Sequence, residues 1–204
     1  MRVALIEVCR RPEIPKASTE AIVLSRAFKD IGIDSDLYSN DQYWSRRKRA
    51  GKVVSMEQIA TLAANPLIDV LHFAMHGNEE GLILSWSGPL DDRAPETILG
   101  PRDITEGPRF GGKLIVSGAC QSAHLADEFI AAGARAVVTP SIEVPWMNLG
   151  SFFKSFYAHM VGGLDAAKSL ELAKSPFPEL GSYLLINEAA LANQAGDHRK
   201  QGWH

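Results

Sequence analysis

Lys113-Leu114-Ile115-Val116-Ser117-Gly118-Ala119-Cys120-Gln121-Ser122 decides how the chain is read. Its apolar, partly β-branched run is a buried strand. The strand stops at Gly118, sets a cysteine at its end and runs towards a helix starting near Ser122 or Ala123. Earlier in the chain, residues 68–75 form a second run of the same kind, ending in His76-Gly77.

Outward from these two strands, extended and helical patterns alternate. Residues 3–8 read as a first buried strand. Ser18-Thr19-Glu20 opens a helix whose apolar face holds Ile22, Leu24, Ala27, Phe28 and Ile31, and Gly32 stops it. Residues 33–38 alternate as an edge strand does. Ser55 opens a helix that ends before Pro66. Residues 81–86 suggest part of a small hairpin, and residues 87–112, rich in Gly and Pro, a long surface connection with one helical turn near residues 102–105. After Cys120 come a helix over 125–132, a strand over 136–139, an irregular segment over 140–146, helices over 148–161 and 164–174, and a last strand over 183–187.

Such alternation predicts an α/β fold, a three-layer αβα sandwich around a mostly parallel sheet of about six strands. We expect one domain over residues 1–187 and a tail over residues 188–204. In open parallel sheets ligands bind at the carboxyl ends of the strands. That rule gathers Cys9, His76, Cys120 and residues 140–146 along one edge.

The totals narrow the classes. The chain has 204 residues, 46% hydrophobic and 22% charged, with a formal net charge of -3. That balance gives no reason to expect nucleic-acid or membrane partners. Two cysteines do not make a disulfide framework, so a reducing compartment is expected. The N-terminus reads as a strand and not as a signal peptide, and no run approaches a membrane span. These features predict a cytoplasmic protein. Nothing calls for a cofactor or a metal ion.

A thiol attacks a carbonyl as its thiolate. The helix after Cys120 would favour a negative sulfur, and a nearby imidazole would accept the proton and return it to the leaving amine. His76 is the histidine at a strand end. Gly77, without a side chain, lets a substrate approach, and its N–H with that of Cys120 is the natural oxyanion pair. His72 lies on the same strand and reads as a packed core residue. His124, one helical turn beyond Cys120, reads as a neighbour and not the base. His159, His198 and His204 have no supporting context.

Two other motifs fail on context. Gly107 to Lys113 fits G-x-x-x-x-G-K, but Leu114 follows where a phosphate loop needs Ser or Thr, and a strand follows where it needs a helix. Gly118-Ala-Cys120-Gln-Ser122 approaches the G-x-C-x-G elbow of amidotransferase-like hydrolases, in which the histidine follows the nucleophile. Here the better-placed histidine precedes it. A small-molecule cysteine hydrolase or amidotransferase, and a catalytically silent binding or scaffold module, are the alternatives.

Taken together, Leu71-His-Phe-Ala-Met-His76-Gly77 and Leu114-Ile-Val-Ser-Gly-Ala-Cys120-Gln-Ser resemble the caspase-like (clan CD) cysteine peptidases, most of all the bacterial CHAT-type branch. Leu125-Ala-Asp-Glu-Phe-Ile-Ala-Ala-Gly-Ala-Arg-Ala-Val-Val and the stretch from Phe152 to Ala173 are similar to the segments that follow the cysteine in that family. The resemblance implies a cysteine endopeptidase acting on protein or peptide substrates, with His76 as general base and acid, Cys120 as nucleophile, and Gly77 and Cys120 as the oxyanion hole. It also implies that substrate lies extended along residues 141–146, which include Glu143 and Trp146. Members often serve regulated proteolysis, including bacterial antiviral defence and cell death.

One position departs from the pattern. Relatives usually carry a polar or acidic residue two before the cysteine, and this chain has Gly118. The residue that reads the substrate must come from elsewhere. Glu143 or Glu7 would bind a basic side chain, and Arg10 or Arg11 an acidic one. Glu143, in the expected substrate segment, favours a basic residue before the cut. The chain shows no recognisable sensor domain, so an activating protease or sensor protein is an expected partner, and Arg46-Arg47-Lys48-Arg49 is a candidate processing site.

Overall fold

A computed structural model describes residues 1–8, 20–39, 54–87 and 94–187. Cys9, Arg10, Arg11, the Arg46–Arg49 cluster, His198, His204 and the expected tail lie outside the described residues. In order, the elements are β1 (Arg2–Val8), α1 (Glu20–Asp30), β2 (Asp34–Ser39), α2 (Met56–Ala64), β3 (Val70–Met75), β4 (Gly77–Asn78), β5 (Gly81–Ser87) and β6 (Ala94–Leu99). Then follow α3 (Pro101–Thr105), β7 (Leu114–Ser117), α4 (Ala126–Ala131), β8 (Ala136–Pro140), α5 (Leu149–Val161), α6 (Ala166–Lys174) and β9 (Tyr183–Ile186).

The main sheet has six strands in the order β2-β1-β3-β7-β8-β9. Its first five strands pair in parallel, and β9 closes the edge antiparallel to β8. The side-chain period of two sorts the sheet between two cores. Ala4, Ile6, Leu71, Phe73, Ile115 and Val137 meet α2 and α4 on one face. Val3, Leu5, Val70, Leu114, Val116 and Val138 meet α1, α5 and α6 on the other. A strand buried on both faces reads as one apolar run, which is why β3 and β7 stand out in the sequence.

Helix α5 shows the helical counterpart. Leu149, Phe152, Phe153, Phe156 and Tyr157 recur at the spacing of one face, and all are buried. Tyr157 packs edge-on against Phe28 of α1 with ring centroids 4.9 Å apart. This layer carries α1 across the sheet and fixes where Glu20, its first residue, lies.

Two expectations change. Residues 87–112 contain a strand as well as a helical turn: β6 pairs with β5, and β5 with β4, in a separate three-stranded antiparallel sheet. Pro95 argues against a central strand, but β6 is an edge, where a missing N–H costs no ladder bond. The helix after Cys120 is also weaker than expected. A 3-10 turn over Ser122–Leu125 comes first, and α4 has six residues. The macrodipole acts within about one turn, so a short helix starting this far on gives the sulfur little.

Candidate active site

Strands β3 and β7 pair with Val70 beside Leu114, His72 beside Val116 and Phe73 beside Ser117. Past the last pair, the Gly118 N–H still donates to the Phe73 carbonyl at 2.8 Å. The same offset carried to the strand ends brings His76 level with Cys120. Beyond His76 the chain turns close over the cysteine. A methyl group on Gly77 would lie 2.7 Å from the Cys120 carbonyl oxygen and 3.0 Å from Ala119 Cβ. Glycine is therefore required at position 77 by space and not by backbone angle.

Hydroxyl groups pin the turn that holds Cys120. Ser122 Oγ donates to the Ala119 carbonyl at 2.7 Å. Its single proton is thereby used, so Ser117 Oγ and Thr139 Oγ1, each 2.8 Å away, donate to it. Ser117 Oγ in turn accepts from the Ala119 N–H at 3.2 Å. Gln121 follows with φ 57, the sole non-glycine residue at positive φ among the described residues. A left-handed residue costs on the order of 1–3 kcal/mol, and the hydroxyl network and core around it hold it there. The cysteine thus sits at the tip of a sharp, braced turn. Cys120 Sγ carries a free thiol that donates weakly to the Val144 carbonyl at 3.8 Å.

His76 and Cys120 line one cavity of about 170 Å³. Val144, Trp146 and Leu149 give it an apolar wall, and Glu7, Glu20 and Gly118 line it too. Outside it, Ile142 and Met147 expose apolar side chains beside the Trp146 wall. His124 stands apart. Its Nδ1–H donates to the Gln121 carbonyl at 2.8 Å, and it lines a different, shallow depression with Glu79 and Ile142.

A CHAT-domain family profile matches residues 5–177. The chain belongs to the CHAT family. Among solved structures, this CHAT chain is similar to the Arg-specific cysteine proteinase gingipain R (RGPB), with a TM-score of 0.61 at 10% identity over 91% of this chain and 46% of that one. A complex of the Porphyromonas gingivalis RgpB pro- and mature domains matches with a TM-score of 0.54 at 11% identity, over 93% of this chain and 48% of that one. The CHAT chain thus spans a little under half the length of these gingipain chains. The Drosophila initiator caspase Dronc also matches, with a TM-score of 0.47 at 10% identity, over 91% of this chain and 78% of that one. Comparison with curated proteins finds no match. The gingipain likeness shows that the CHAT domain shares the fold of that cysteine proteinase, with its mostly parallel central sheet between helical layers.

Of the residues singled out from the sequence, His76, Gly77, Cys120, Trp146 and Glu7 gather at this strand edge. Glu143 is exposed and outside the cavity lining, and Arg10 lies outside the described residues. Glu7, 1% exposed, accepts from Ser39 Oγ at 2.8 Å. His72 is fully buried, with Nδ1 2.8 Å from Tyr157 Oη and Nε2 2.6 Å from Glu20 Oε1. Burial, then the Glu20 charge, pushes the Tyr157 hydroxyl well above its ordinary value.

Glu20 is the cavity residue that sequence reasoning missed. As the first residue of α1 it reads as an ordinary helix-start acid. Its signal was His72: an imidazole in an apolar strand needs polar partners, and an acid elsewhere must supply one. Among the described residues no cluster of His, Cys, Asp and Glu is suited to hold a metal ion. No helix there is long and apolar enough to cross a membrane.

Proposed function

We propose that this CHAT domain is a cysteine endopeptidase that cleaves protein substrates through a Cys120–His76 dyad. The observation that carries the reading is the meeting of His76 and Cys120 in one cavity, at the ends of adjacent parallel strands, in a cysteine-proteinase fold. His76 takes the Cys120 proton as the sulfur attacks the scissile carbonyl. The N–H groups of Gly77 and Cys120 stabilise the oxyanion, a donor pair of which each member is worth a factor of roughly 100 to 1,000 in rate. The tetrahedral intermediate collapses as His76 returns the proton to the departing amine. Water, deprotonated by the same imidazole, then releases the acyl group and restores the thiol.

Residues 141–146 suit an extended substrate, because Trp146 and Val144 line the cavity and Ile142 offers an apolar surface. The acid facing the cavity from β1 is Glu7, which supports a basic residue before the cut. Regulated proteolysis in the cytoplasm, as in a bacterial antiviral defence or cell-death pathway, is the role the family suggests, with an activating protease or sensor protein as partner. Replacing Arg46, Arg47, Lys48 and Arg49 by Ala tests the processing idea: unchanged processing and activation removes it.

The direct test is cleavage of a peptide library by four variants. Turnover is lost in Cys120→Ala and His76→Ala and kept in His124→Ala and His159→Ala. A Cys120→Ala protein that still cleaves contradicts the reading.

A further inference from the structure

Gly118 and Glu20 occupy each other's space. A methyl group on Gly118 would lie 2.3 Å from Glu20 Oε2 and 2.8 Å from Oε1. The carboxylate of α1 therefore lies where a side chain at position 118 would begin, and both residues line the cavity beside Cys120. The two oxygens have different surroundings. Oε1 accepts from His72 Nε2 at 2.6 Å, whereas Oε2 has no hydrogen-bond partner among the described residues. A carboxylate only accepts, so His72 carries a proton on Nε2, and in the neutral imidazole Nδ1 then accepts from the Tyr157 hydroxyl. Tyr157 is held by α5 and His72 by β3, two rigid elements of the core. The chain Tyr157, His72, Glu20 thus fixes the carboxylate and leaves one oxygen turned to the substrate side.

Glu20 is 9% exposed and Glu7 is 1% exposed, so both carboxylates are shielded from bulk water. Among the described residues no Lys or Arg lines this cavity. The charged side chains lining the cavity among the described residues are thus acidic, and such a lining selects a ligand group of the other sign. A planar, multiply donating cation suits a carboxylate with an open oxygen better than a compact ammonium does.

We infer that Glu20, supplied by α1 and buttressed by His72 and Tyr157, is the residue that recognises a guanidinium side chain immediately before the scissile bond, and that position 118 is glycine to make room for it. Glu20 is then the substrate-binding residue, and His72 and Tyr157 are positioning residues. The inference rests on the peptidase reading and names the substrate class of that same site.

The test compares two peptidyl acyloxymethyl ketones that differ only in the residue before the warhead, arginine in one and its neutral isostere citrulline in the other. Iodoacetamide, which has no such side chain, reports the reactivity of Cys120 itself. The wild-type protein reacts with the arginine ketone about 30-fold or more faster than with the citrulline ketone, the factor expected when one partner of a buried charge pair is neutralised. Glu20→Gln, which keeps the hydrogen bond from His72, brings that ratio to within about threefold of unity, with each ketone rate divided by the iodoacetamide rate of the same protein so that any change in the thiol itself cancels. Tyr157→Phe lowers the ratio without altering iodoacetamide alkylation, a split that a merely structural role would not produce. Equal rates for both ketones on the wild type overturn the inference and leave the peptidase reading standing, and this comparison needs no variant to fold. A Glu20→Gln protein that keeps the arginine preference also overturns it. Alkylation of Cys120 by iodoacetamide with no reaction at either ketone defeats the peptidase reading, and the inference with it.

Discussion

Replacing Gly77 by Ala tests how tightly the two strand ends must meet. The added methyl would sit 2.7 Å from the Cys120 carbonyl oxygen, a backbone atom that no rotamer change can move. An ordinary C···O approach is about 3.3–3.6 Å, so the segments must separate by about 0.6–0.9 Å. Overpacking of this kind costs about 1–3 kcal/mol. For a domain of this size that lowers Tm by about 2–12 °C. Chemistry suffers more, because a misplacement of about 1 Å costs on the order of 100-fold in rate. Labelling of Cys120 by a peptidyl ketone should therefore slow by about 10- to 100-fold, well below the melting transition. Gly111→Ala is the control, since a methyl there meets nothing within 4 Å and should leave both readouts unchanged. A Gly77→Ala protein that is labelled at the wild-type rate would refute the claim that Gly77 and Cys120 act as one unit.

Ser122→Ala removes the centre of the hydroxyl network and strands the Ala119 carbonyl, Ser117 and Thr139; a loss of about 1–3 kcal/mol in urea unfolding, with slower labelling of Cys120, is expected. Tyr157→Phe leaves His72 Nδ1 without its partner in a dry core, and calorimetry should show destabilisation of about 1–3 kcal/mol. Tyr183→Phe goes the other way, because the buried Tyr183 hydroxyl has no partner among the described residues, so stability should hold or rise by about 1 kcal/mol. Burial, then the charges of Glu20 and Cys120, raises the Tyr183 hydroxyl above its ordinary 10.0, so its share of stability is present below pH 10 and is lost as pH climbs further. Tyr183→Phe should accordingly flatten the alkaline limb of a stability-versus-pH curve.

The sheet was legible because its central strands are buried on both faces and read as unbroken apolar runs. The two catalytic candidates were legible because each stands where such a run stops. What the sequence hid depends on distances between elements remote in the chain. Glu20 and Gly118 explain each other only after α5 has carried α1 onto the sheet, and a glycine alone does not announce what fills its space. Glu143 shows the converse: it lies in the right segment, yet it is exposed and outside the cavity lining. Strand β6 was masked by Pro95, whose missing N–H is tolerated at an edge. The 3-10 turn after Cys120 reflects Ser122, whose hydroxyl bonds back to Ala119 in place of a regular helical start.

The most direct measurement is the mass of the intact protein after reaction with a peptidyl acyloxymethyl ketone, followed by mapping of the modified residue. One adduct per chain on Cys120, lost in Cys120→Ala and slowed at least 100-fold in His76→Ala, the scale of general acid–base catalysis, is the predicted result. An adduct on another residue, or equal labelling of the wild-type and His76→Ala proteins, would contradict a Cys120–His76 dyad.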